Sequence, residues 1–141
     1  MRRDKIDSAV RDAVEDHTGK PTGLSQPPSR EPDMNVGYVI IYQSPSPPPE
    51  GSWKDPEECK YFDYLIKSVG RSHRQVAWIQ GAVQDAMTGR DTGGGYMKDI
   101  TISGFKVIDR RTVSGGVIIQ SDEHVFEGSD IYRLKVMASG E

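Results

Sequence analysis

The stretch Tyr61–Met87 constrains this chain most, because it joins two different periodicities across one glycine. Tyr61–Val69 is rich in aromatic and branched residues, which suit a pleated surface. Gly70 then stops the strand, at a point where positive φ would favour a residue without Cβ. Ser72-His73-Arg74-Gln75 follows as Ser-x-x-Gln, the capping-box pattern. Val76, Ile79, Ala82, Val83 and Ala86 then recur at helical spacing, with Trp78 and Met87 widening or flanking the stripe. The spacing predicts a strand, a glycine stop and an amphipathic helix over 72–88.

The first helix is equally legible. Ile6, Ala9, Val10, Ala13, Val14 and His17 make one apolar face over 4–18, with charged residues around the rest. Core packing is the expected role of this face, ahead of a partner-binding arm. Gly19 and Pro21 end the helix. Residues 19–36, with Pro27, Pro28 and Pro32, read as a linker without periodicity. Gly37–Gln43 is apolar on both faces, as in a strand covered from both sides, by helices on one and by another subunit on the other. Further strands are expected at Asp99–Ile108, Val113–Gln120 and Asp130–Met137. The fold class expected is therefore α+β, in one domain over 1–141. A mainly antiparallel sheet of about five strands would carry two amphipathic helices on one face, with 37–141 holding the sheet and the central helix.

Composition narrows function more than it defines it. A chain of 141 residues can bury about two thirds of its unfolded surface. The formal charge of −3 does not mark a basic nucleic-acid binder. Cys59, the single cysteine, excludes an intrachain disulfide, and Glu57, Glu58 and Lys60 around it predict an exposed thiol. No signal peptide or membrane span is expected, so the chain reads as soluble and made in a cytoplasm.

The search for chemistry yields loops. Thr88–Tyr96 contains Gly93, Gly94 and Gly95, but lacks the Gly-Lys-Ser/Thr of a phosphate cradle and follows a helix, so a flexible loop is expected. Asp122, Glu123 and His124 lack metal-site spacing and read as an exposed loop. Nothing brings His17, His73 and His124 into a catalytic set, and there is no nucleophile elbow. No enzyme activity, cofactor or metal is expected. Arg71, Arg74 and the Arg110-Arg111 pair are small basic spots. Ser44–Asp55, with Pro47, Pro48, Pro49 and Trp53, reads as a stiff extension between two strands.

Two stretches carry a resemblance. Tyr38-Val39-Ile40-Ile41-Tyr42, then a Pro/Gly loop, then Tyr64 through Ile79 with its Ser68-Val69-Gly70-Arg71 turn and Ala77-Trp78, is similar to the tail terminator (tail-completion) proteins of long-tailed phages, especially those of actinobacteria. The ending Asp130–Val136 fits the same pattern, while the Ser44–Asp55 and Gly93–Gly95 loops depart from it. The resemblance implies a homo-oligomeric ring, commonly hexameric. Such a ring caps the tail tube protein, receives the head connector or head-completion protein, and lets phage DNA pass without specific binding. It implies a place at the neck of the virion after assembly in the host cytoplasm, and no membrane. The interface residues expected are Pro47, Pro48, Pro49, Trp53, Gly93, Gly94, Gly95 and Tyr96. Rival expectations are another connector or tail tube subunit, a small hydrolase, or a nucleic-acid module stacking bases on Tyr61, Phe62 and Tyr64 beside Arg71 and Arg74.

Overall fold

The computed structural model describes residues 3–43 and 59–138. Two helices, α1 (Arg3–Thr18) and α2 (His73–Thr88), lie with six strands: β1 (Thr22–Leu24), β2 (Tyr38–Gln43), β3 (Cys59–Gly70), β4 (Phe105–Gly115), β5 (Ile119–Asp122) and β6 (Val125–Ala138). The sheet order is β1-β2-β3-β6-β4, with β5 continuing along β6 beyond the end of β4. Among the described residues only the β1–β2 pair is parallel. The expected α+β class, mainly antiparallel, is what the chain adopts.

Alternation along the strands sorts the sheet into two faces. One face places Val39, Ile41, Phe62, Tyr64, Ile66, Tyr132, Leu134 and Val136 under the helices. The stripe Ile6, Val10, Ala13, Val14 of α1 and Val76, Ile79, Val83, Ala86 of α2 closes over them. Each fully buried aliphatic side chain here contributes about 1.5–3 kcal/mol. The α1 stripe is thus core, as its pattern predicts. Met87 is fully buried, whereas Trp78 is 59% exposed and points away from the core.

The turn into α2 departs from expectation in its cause. Ser72 is the N-cap, with its hydroxyl accepting from the Gln75 amide at 3.1 Å. Gln75 reaches back one residue further, its Oε1 accepting from the Arg71 amide at 2.6 Å and its Nε2 donating to the Asn35 carbonyl at 2.9 Å. Gly70 is not at positive φ. A Cβ there would lie 2.6 Å from Gln75 Oε1, so glycine leaves the space that this side chain fills. Positive φ belongs instead to Gly37 at 81°, where a Cβ would also press Ile79 Cδ1 at 2.6 Å.

Three further boundaries differ. Residues 19–36 are not a featureless linker. They contain β1, whose Thr22 amide donates to Glu15 Oε2 at 2.9 Å. The Gln26–Pro28 backbone folds over Gly23, on the face that Gly23 shares in register with Ile40. Part of the second cover expected over β2 is therefore supplied by this chain. Residues 99–104 are not strand; Ile100 and Ile102 instead plug the core as isolated anchors. β4 runs on through Arg110-Arg111, where the sequence shows a charged break, because Arg110 turns inward and finds carbonyl partners. The expected strand Val113–Gln120 is split at 116–118, where a Cβ on Gly116 would run into the Ser129 carbonyl.

Candidate assembly surfaces

Of the expected interface residues, Pro47, Pro48, Pro49 and Trp53 lie outside the described residues. Gly93, Gly94, Gly95 and Tyr96 lie in the turn after α2. That turn is hydrogen-bonded onto itself, unlike the flexible loop expected from its glycines. The Asp91 amide donates to the Gly95 carbonyl at 2.8 Å, and Asp91 Oδ1 accepts from the Gly93 and Gly95 amides at 2.9 and 3.1 Å. The Arg90 guanidinium donates to the Gly94 carbonyl at 3.0 Å.

Tyr96 closes this turn between two cations. Arg90 sits 3.9 Å from the ring centroid and Arg110 sits 4.1 Å from it. The Tyr96 hydroxyl accepts from the Arg110 amide at 3.2 Å, and the Arg110 guanidinium donates to the Lys98 carbonyl at 2.6 Å. Burial lowers the Arg110 guanidinium from its ordinary value, with Tyr96 and Asp99 opposing the shift. A buried cation held by carbonyls and a ring is structural, so Arg110 is not the phosphate contact that its sequence neighbourhood offered. The sequence carries no signal for this clasp, since residues 90, 96 and 110 follow no shared motif.

The helix-free face of the sheet is aromatic and charged. Lys67 stands 5.7 Å from the Tyr42 ring, and Arg133 and Lys135 stand 5.9 and 5.8 Å from the Tyr61 ring. Asp63 receives both Nε and Nη2 of Arg133, at 2.7 and 2.9 Å. Lys67 pairs with Glu127 at 3.7 Å. Burial raises the Tyr38 hydroxyl above its ordinary value, aided by Glu127. Of the stacking set Tyr61, Phe62 and Tyr64, only Tyr61 is on this face. Phe62 and Tyr64 are buried beneath the helices, because neighbouring residues of a strand point to opposite sides. Arg71 is hydrogen-bonded to Asn35, at the far side from Tyr61 along β3. The base-stacking surface is therefore not assembled.

Beneath the helices a polar knot ties α1 to the sheet. Asp7 is buried, and its carboxyl accepts from the Tyr64 hydroxyl at 2.6 Å and from the Gln43 amide group. Lys60 is fully buried on the same face and Cys59 is itself partly buried, so the thiol is less exposed than its charged neighbours in sequence imply. Tyr132 is raised by burial and by Asp130. His17 and His73 lie at the end of α1 and the start of α2, while His124 is in the β5–β6 turn beside Glu123. The three are not gathered into one site.

Two exposed apolar patches lie outside the interface residues expected from the sequence. Trp78 on α2 borders a groove with Lys20, Ser72, Arg74 and Gln75, and Lys20 Nζ lies 5.3 Å from its ring. At the other end of the sheet, Val113 of β4, Val117 of the link between β4 and β5, and Ile119 of β5 are 45%, 81% and 52% exposed.

These elements define an open α+β sheet with both helices on one face and displayed loops and edges. No protein-family model matches the chain, and no curated protein matches it. Solved structures share the fold. A chain from the virion of a native gene transfer agent (GTA) particle is similar with a TM-score of 0.62 at 13% identity, over 94% of this chain and 95% of its own length. A second solved chain gives a TM-score of 0.51 at 16% identity, over 95% of this chain and 96% of its own. At these identities the likeness is one of fold.

Proposed function

We propose that this protein is a structural subunit of a tailed-phage type of particle, and that it acts as a tail terminator. Copies of the chain form a ring, six-fold by the resemblance, which sits on the finished tail tube, ends its growth and receives the head connector. One observation carries this reading: nearly the whole chain corresponds in fold to nearly the whole of a chain from a GTA virion particle. The strand-and-turn resemblance at Tyr38–Tyr42 and Tyr64–Ile79 supports the finer role.

The role needs geometry and no turnover. Tube subunits add head to tail, and such heterologous contacts continue until something blocks the open end. A rigid sheet with two helices on one side can present loops to the tube and to the connector without disturbing its core. DNA would pass such a ring without specific binding, consistent with the formal charge of −3.

Electron micrographs of particles made without this gene test the proposal. Filled heads without tails, with free tails of abnormal length, are expected. Tails of normal length joined to heads would overturn it. Tails absent altogether would point to a tube subunit, and heads that lose their DNA would point to a connector.

A further inference from the structure

We infer that the subunit joins a second copy of itself head to tail, by docking the Val117–Ile119 edge of one copy onto Trp78 of the next. The inference rests on the ring reading above and names the surfaces that would build it.

The two patches lie at opposite ends of the sheet. β1 and β4 are its two ends, and β5 extends the β4 end along β6. Trp78 belongs to the β1 end, since its ring neighbour Lys20 lies just before β1. Val117 and Ile119 belong to the other end, where the Gly116 carbonyl accepts from Gln80 on the opposite flank of α2 at 3.1 Å. A ring requires two different patches on opposite sides of one subunit, whereas a two-fold dimer uses one patch twice.

The patches also match in chemistry. Trp78 is 59% exposed and is flanked by Lys20 and Arg74, neither of which is in an ion pair among the described residues. Val117 and Ile119 are 81% and 52% exposed and are followed by Asp122 and Glu123 in the β5–β6 hairpin. An aromatic anchor rimmed by cations thus has as its counterpart an aliphatic edge rimmed by carboxylates. Trp is among the side chains enriched at interface anchors, and complementary rims fix the register of a contact. Val117 lies in the 116–118 link between β4 and β5, outside the ladder with β6, which leaves it available to a neighbour.

Size exclusion with light scattering, over a concentration series, tests this on the full chain, Val117→Asp, Trp78→Ala and an equimolar mixture of the two variants. The wild-type chain is expected to assemble. Each variant alone is expected to fall to the mass of a single subunit. The mixture is expected to form one-to-one pairs and no rings, because one sound contact remains between the Trp78 of the first variant and the Val117 edge of the second. Variants that assemble like wild type overturn the inference while the ring reading stands. A mixture that stays at single-subunit mass overturns the pairing of these two surfaces. A wild-type chain at single-subunit mass throughout overturns both. Both positions are on the surface, and circular dichroism of each variant checks that the fold is kept.

Discussion

The side-chain oxygen of Gln75 lies 2.6 Å from the point that a Cβ on Gly70 would occupy. The same oxygen accepts from the Arg71 amide, and the nitrogen beside it donates to the Asn35 carbonyl. One glutamine therefore fastens the end of β3, the start of α2 and the approach to β2, and it does so through the gap that glycine leaves. Gly70→Ala should cost about 1 kcal/mol through the displaced hydrogen bonds. In a Gln75→Ala background the same change should be close to neutral. Urea titrations of the four proteins check this, and equal costs in both backgrounds would show that Gln75 is not the reason for the glycine.

Ser72→Ala removes the N-cap of α2 and should cost about 1 kcal/mol, whereas Ser72→Asp should restore most of it. The comparison is made at the urea midpoint. An alanine variant as stable as the parent would remove the cap from the account of this turn.

Tyr64→Phe should cost about 1–3 kcal/mol, since it takes a hydrogen bond from the buried Asp7 carboxyl without changing the packed volume. The loss should appear as a lowered denaturation midpoint with an unchanged slope, because the surface exposed on unfolding stays the same. An unchanged midpoint would show that Asp7 is held adequately without Tyr64.

The Asp16 carboxyl is held below its ordinary value of 3.8 by its hydrogen bond to Lys98 and by that ammonium's charge. Its contribution to stability is complete above the ordinary value and is lost as pH falls through the depressed one. The carboxyl is open to solvent, so the effect on stability is small. The site itself is readable by NMR titration. Lys98→Met should move the Asp16 midpoint up toward the ordinary value, and an unmoved midpoint would dissociate the two residues.

Asp91→Ala should release the Gly93 and Gly95 amides, which Asp91 Oδ1 now accepts. Their hydrogen exchange should quicken by up to about tenfold, the equivalent of one lost bond. Exchange that is already fast in the parent chain would restore the flexible reading of this turn.

What the sequence disclosed follows the range of the forces involved. Both helices and the β3–α2 turn are written in local periodicity and capping, so Ile6–Val14 and Ser72–Ala86 were legible residue by residue. β1 was hidden because three residues carry no period, and what makes them a strand is the edge of β2. The course of β4 was hidden because Arg110 looks solvated until the Lys98 carbonyl and the Tyr96 ring are placed beside it. The sequence leaves Trp78 either widening the apolar stripe or flanking it, and the packing of α2 against β3 and β6 leaves it outside. Long-range pairing decides all three, and a single sequence does not display it.

The placement of β6 has a consequence for how the protein is made. This strand is the last of the described elements in chain order, yet it sits between β3 and β4 in the middle of the sheet. During synthesis, β3 and β4 have no common partner until residues 125–138 leave the ribosome, so the sheet closes in one late step. Contacts so distant along the chain slow folding. They also make it a test of completeness: a product broken off before β6 has no sheet centre, and its unpaired strands are open to proteases.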